Sequence, residues 1–330
     1  MKRATPVVVA RAGERFRSFA PYVPTLDARR CVTFQASLVG GGAGVFLADG
    51  GPVRELLRTG ERVIDVVSHP ARAANGAFSA YAKTTAGDAL ALGVDGRLVV
   101  ATASATGLAS IGPLGPTTNE AGVVAFRATT LSGEAGVFTW ADGNVSVIAV
   151  ATGPVRGFEG LPVINERGDV AFRAELVGGE QVIGVADAQG VVWFAETGDD
   201  FVELSRFPSI NASGQVAFSA ITRHGERDVY FARRGARERI FEGTSSFESL
   251  RGVLVDDAAR VLLIATPRGG ALGLYEVDGE KRLAVGDPIE GSSVTEFAAN
   301  PVSMNGAGVV AARVRLGDGR ECIVLCERGR

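Results

Sequence analysis

The chain has 330 residues, with 34 Lys and Arg against 37 Asp and Glu and a formal net charge of −3, so nothing in its charge directs it to nucleic acid or anionic lipid. Hydrophobic residues make up 46% and charged residues 22%, a balance that excludes a disordered chain. Gly is abundant (44 residues) while Met and His number 2 each, which points to many turns between short strands.

The N-terminus, MKRATPVVVARAGERF, starts basic, but its apolar run Val7-Val8-Val9-Ala10 stops at Arg11. A secretory leader needs about 7–15 unbroken apolar residues, and a membrane helix needs roughly 18–20. Neither is found, so a cytoplasmic protein with no membrane partner is expected. Thr5 to Gly13 reads instead as a lone strand, TPVVVARAG, similar to VSVIAVATG at Val145 to Gly153.

A repeat then governs the chain. Pro24, Pro70, Pro116, Pro162 and Pro208 recur every 46 residues. Asp27, Asn119, Asn165 and Asn211 follow three residues after their prolines, and Gly122, Gly168 and Gly214 three residues later again. Next comes a strand-like segment: VVAFRA from Val123, VAFRA from Val170, VAFSA from Val216. Its aromatic falls at Phe34, Phe78, Phe126, Phe172 and Phe218, with Leu263 and Ala312 in that place in two weaker copies. Seven copies account for nearly the whole chain.

Within the fourth copy, FEGLPVI, VAFRAEL, VIGVAD and VVWFAETG are short β-branched and aromatic runs separated by NERG, VGGEQ and AQG turns. Four such strands per repeat make one blade of a β-propeller. The expected fold is all-β: one propeller domain over residues 1–330 with seven four-stranded blades. A β-solenoid, or six or eight blades, are the rival architectures. The last copy ends after its third strand, ECIVLC, so residues 5–13 are expected to pair with the C-terminal blade, 297–330, and latch the ring. Cys322 and Cys326 lie roughly 13 Å apart on one strand face, too far for a disulfide. Cys31 could meet one of the others across the ring, but the three read as free thiols.

The repeat residues read as structure. Asn or Asp with Gly three later is turn chemistry, and Asp49-Gly50, Asp95-Gly96, Asp142-Gly143 and Asp278-Gly279 read as hairpin turns, each with one carboxylate and too few oxygens for calcium. The pattern NEAGVVAFRA, NERGDVAFRA and NASGQVAFSA at Asn119, Asn165 and Asn211 resembles the bacterial tandem-repeat proteins defined by N-x-x-G-x-x-A-F-x-A-x-L. The resemblance covers nearly the whole chain. It implies a repeat propeller, commonly exported, with no settled activity, so no catalytic residue carries over. The absence of a leader and an anchor here departs from that exported pattern.

Chemistry is expected where the repeat is broken along the channel-lining first strands. Five residues before the repeating Pro, or at the matching place, stand Asp65, Glu203, Glu248 and Glu296, and two before it stand Tyr22, Arg206 and Arg251. His69 and Glu159 fall nearby. A charged sector over blades five to seven would face an apolar wall built from Ile111, Leu114, Phe158 and Gly160 of blades three and four. The alternative is a solvated channel whose charges neutralise one another. A hard cation on Asp65, Glu203, Glu248 and Glu296 would require those carboxylates to converge; no metal or cofactor is expected. There is no G-x-S-x-G, H-E-x-x-H, G-x-x-x-x-G-K or C-x-x-C.

Two functions follow from this sector. One is a propeller that binds a small molecule at the channel mouth, or a protein partner on its loop-rich face. The other is an enzyme of lyase, cyclase or hydrolase type using channel carboxylates and arginines. An enzyme would bury Glu203, Glu248 or Glu296 in a concave pocket with a shifted pKa.

Overall fold

Seven antiparallel sheets follow one another along the chain in this computed structural model, which describes residues 5–94, 96–198 and 200–329. Among the described residues there is one four-residue α-helical turn and there are two 3-10 turns, and no helix is long and apolar enough to cross a membrane. Blade one runs through Phe16–Phe19, Val32–Leu38, Ala43–Ala48 and Arg54–Arg58. Blade four runs through Val155–Ile164, Val170–Leu176, Gln181–Asp187 and Gly190–Glu196. The architecture is a seven-bladed β-propeller. The hairpins carry the expected turn chemistry: Asp142 and Gly143 take φ of 50° and 84°, the positive pair that a tight two-residue hairpin needs. Asp95 of the Asp95-Gly96 pair lies outside the described residues.

The seventh blade is assembled from both ends of the chain. Ser292–Ala298, Val310–Leu316 and Glu321–Cys326 are its three inner strands, and Val7–Arg11 is its outer one. Val7 faces Leu325, Val8 faces Val324 and, past a bulge, Arg11 faces Cys322. Arg11 is also ion-paired to Glu290, and the Ala12 N–H reaches the Glu321 carbonyl at 2.9 Å. Cys322 and Cys326 are buried free thiols, and Cys31 is a half-buried one.

The core sits between blades, because each sheet must cover a face of its neighbour. Seven hydrophobic clusters of described residues occupy the seven blade interfaces. Val45 and Leu57 meet Val66 and Phe78 between blades one and two. Ala171 and Ile183 meet Phe218 and Tyr230 between blades four and five. Ala311, Ile323 and Leu325 meet Phe16 and Phe34 where blade seven returns to blade one. The repeat aromatic also stacks within its own blade, as Phe34 on Phe46 and Phe218 on Tyr230 do.

The repeating Asn has a second role beyond its turn. The Asn165 Oδ1 closes its own loop by accepting from the Arg167 and Asp169 N–H groups at 3.0 and 2.9 Å. Its Nδ2 donates to the Asn211 carbonyl of the next blade at 3.0 Å. Asn119 makes the same bond to the Asn165 carbonyl at 3.2 Å, and Asn305 to the Asp27 carbonyl at 3.1 Å. Asp27 cannot donate from its carboxylate, and there Arg72 of blade two supplies the link instead, with Nε 3.3 Å from Asp27 Oδ2. A side chain that both accepts locally and donates to the next blade selects Asn over Asp.

Candidate functional site

The first strands are not simple ladders. In blades one, two, three and five they break just before the repeating Pro, as Phe16–Phe19 and Thr25–Leu26 do in blade one. Pro has no N–H for the ladder. In blade four the strand is continuous, but its register slips between Glu159, opposite Arg173, and Val163, opposite Ala171. The chain therefore bulges near the repeating Pro, and side chains there are free of the alternation that buries the rest.

Two adjoining cavities open at this end of the first strands. One, about 390 Å³, lies among Arg173, Glu203, Arg206 and Arg227. The other, about 220 Å³, is lined by Ile264, Leu272 and Phe297 of blades six and seven. Phe207 and Arg251 line both. The apolar surface therefore comes from blades six and seven. Of the expected wall on blades three and four, Ile111 and Phe158 are buried in blade-interface clusters, whereas Leu114 is exposed.

The first cavity is cationic. Glu159 contacts Arg173 and lies 3.3 Å from Arg206 Nε, and Arg227 donates to Glu203 at 2.8 Å. Four arginines thus face two carboxylates. Arg251 has no hydrogen-bond or ion-pair partner among the described residues. Arg173 is 5% exposed, and its Nε has no partner, a costly arrangement for a buried donor. Arg173 occupies the variable place in A-F-x-A. The motif reads as packing alone, which hides Arg173, whose signal is an Arg inside an otherwise apolar strand; Arg227 opens the third strand of blade five and carries no such signal.

The other sequence candidates do not join this group. Glu248 is exposed and accepts the Gly269 N–H at 3.1 Å. Glu296 is exposed and faces Arg315 at 3.8 Å. Asp65 is exposed and accepts its neighbour Val66 N–H at 2.8 Å. Tyr22 is half-buried, and burial and then the Asp65 charge raise its phenol pKa. Among the described residues no three His, Cys, Asp or Glu side chains are grouped to hold a metal ion, so the four carboxylates do not converge on a cation.

His69 is buried and links two blades, so it is not an exposed ligand-binding group. Its Nε2 donates to the Pro116 carbonyl at 2.9 Å from a buried position. In other blades a hydroxyl makes this bond: Thr25 to the Pro70 carbonyl at 2.8 Å, Thr117 to the Pro162 carbonyl at 3.0 Å. Blade two carries Ala71 there, and His69 replaces the missing hydroxyl. Space is left by Gly115, where a Cβ would lie 2.3 Å from the imidazole Cε1.

Burial pulls the His69 pKa from 6.5 to about 4, against the opposing effect of its bond to Pro116. The unfolded chain therefore takes up a proton first as pH falls. The fold loses stability between about pH 6.5 and 4, by roughly 3 kcal/mol, and the loss is absent above pH 7. In urea unfolding, the stability of wild type relative to His69→Gln should fall by that amount across the window. A pH-independent difference would contradict this placement.

Gly160 fixes how blade four meets blade five. It has φ of +66°, and a Cβ there would lie 1.7 Å from the Arg206 carbonyl oxygen. Gly160→Ala should cost at least about 2 kcal/mol from strain and displaced backbone, measured by urea unfolding. Because Arg206 must move, the variant should also disturb the cationic cavity.

At the opposite end of the first strands a cavity of about 250 Å³ is bordered by Glu120, Glu166 and Asp257. These carboxylates tie blades together: Glu166 accepts the Glu120 N–H at 2.8 Å, Asp257 the Ala212 N–H at 2.8 Å, and Glu120 the Ala28 N–H at 3.0 Å. Burial, and then the nearby Glu120 and Asp257 charges, raise the Glu166 pKa despite the bond from the Glu120 N–H.

No protein-family model and no curated protein matches the chain. Solved structures do match. An oligogalacturonate lyase from Vibrio parahaemolyticus is similar with a TM-score of 0.60 at 11% identity, over 98% of this chain and 92% of that one. An oligogalacturonate lyase in complex with manganese gives 0.59 at 9% identity, over 100% and 99%. A chain from a mitotic checkpoint complex gives 0.52 at 14% identity, over 98% and 93%. At these identities the likeness is one of fold.

Proposed function

We propose that this propeller binds a small molecule at the channel mouth over blades four to seven. The observation that carries the reading is the pair of adjoining cavities, one cationic and one apolar, joined through Phe207 and Arg251, which has no partner among the described residues. Together they have the size and mixed lining of a ligand pocket. Glu203, Arg206, Arg251 and Glu159 of the sequence candidates belong to this site, with Arg173 and Phe207 added.

Binding is favoured over turnover because the candidate acids are placed for pairing with cations. Glu203 and Glu296 have side chains 48% and 66% exposed and face Arg227 and Arg315, whereas a tuned general acid or base is normally held in a desolvated pocket. The repeat-family assignment remains a reading of the N-x-x-G-x-x-A-F motif within the established propeller.

A thermal-shift screen against a metabolite library tests the proposal. A compound at about a hundred times its Kd adds roughly 2.7 kcal/mol, or about 4 °C for a chain of this length. The shift should be present in wild type and lost in Phe207→Ala. Shifts unchanged in that variant would place the ligand elsewhere, and no shift with any compound would turn the search to protein partners on the loop-rich face.

A further inference from the structure

Two features of the mouth specify what it takes, given that it is a binding site at all. The first is an excess of arginines over carboxylates. Arg173 and Arg206 share Glu159, Arg227 is paired with Glu203, and Arg251 has no partner among the described residues. Two carboxylates shared among four guanidiniums leave net positive charge at the mouth, and a ligand carboxylate can accept charge-assisted hydrogen bonds from Arg251. The second is the apolar cavity at its edge. Ile264, Leu272 and Phe297 line it, and Phe207 forms the shared wall. An ion alone would leave that surface wet, and an apolar molecule alone would leave Arg251 unmatched.

We infer that the mouth recognises a small organic anion with an apolar body, its carboxylate among Arg251, Arg227 and Arg173 and its body over Phe207 against Leu272 and Phe297. This rests on the binding proposal above and narrows it to a ligand class. The carboxylate is read by the fork of a guanidinium, and the body gains from desolvation of the second cavity.

Isothermal titration with three matched compounds tests it: 4-phenylbutyrate, 4-phenylbutan-1-ol and butyrate. The aromatic acid should bind at least about tenfold more tightly than either the alcohol or butyrate. Arg251→Ala should weaken the aromatic acid about tenfold and leave the alcohol unchanged, the loss expected for one charge-assisted contact. Leu272→Asp should abolish binding of the aromatic acid. Added salt should weaken the acid and not the alcohol.

If the alcohol binds as tightly as the acid, or Arg251→Ala has no effect while Leu272→Asp abolishes binding, the anion inference fails and the mouth remains a site. If binding is indifferent to both substitutions, the site lies elsewhere and both readings fail. If none of the three compounds binds, the ligand class is wrong, and the library screen decides separately whether the mouth binds anything.

Discussion

Removing residues 1–12 should lower the melting temperature by at least about 5 °C and make the protein prone to aggregate. The deletion takes away the outer strand of blade seven, Val7–Arg11, with its ladder to Glu321–Cys326, the buried Ala10 and the Arg11–Glu290 pair. Each lost ladder bond contributes about 1 kcal/mol, and about 2.1 cal/mol/K per residue sets the temperature scale. The newly exposed strand reads ECIVLC, a run of alternating and adjacent apolar residues, and an open edge of this kind recruits other chains. Calorimetry with light scattering checks both parts. A truncated protein that melts within a degree of wild type and stays monomeric would contradict the closure.

Glu276→Ala should cost about 3–5 kcal/mol, the range seen when one partner of a buried ion pair is removed. Arg282 and Glu276 have side chains only 3% and 5% exposed. Arg282 Nε donates to Glu276 at 2.7 Å, and its Nη1 donates to the Gly308 carbonyl of blade seven. Without Glu276 the guanidinium is left buried and uncompensated. The double variant Glu276→Ala, Arg282→Met should recover much of the loss, because no unpaired guanidinium is then left buried. Urea unfolding of the two variants measures this. A single variant as stable as wild type, or a double variant no better than the single, would contradict the account.

The propeller was legible because its period is long and its punctuation strict. Pro at 46-residue intervals, Asn or Asp three later and Phe in the second strand recur in the same order, and each is required by a turn or a blade interface. The orphan strand at Thr5 and the missing fourth strand after Cys326 were legible for the same reason. The inter-blade bonds of Asn119, Asn165 and Asn305 were not, because turn chemistry already explained those residues. His69 was misread because a first-strand residue beside the repeating Pro usually borders the channel, and only the replacement of Thr by Ala71 in blade two signals its real partner.

The site was legible in part. Repeat-breaking charges marked Glu203, Arg206 and Arg251, which do come together. Asp65, Glu248 and Glu296 stand at equivalent places in other blades, but each bonds within its own blade, and equivalent positions on a wide ring do not converge. Arg173 was hidden in the motif, and Leu272 and Phe297 were hidden because apolar residues near a cavity look like core until their exposure is known.

The most direct test of the binding account is a crystal structure with the compound that gives the largest thermal shift. The account predicts density at the mouth, touching Arg251 and Phe207. Density confined to the outer cavity beside Phe231, Ile240 and Arg328, or to the acidic opposite end at Glu120 and Glu166, would contradict it.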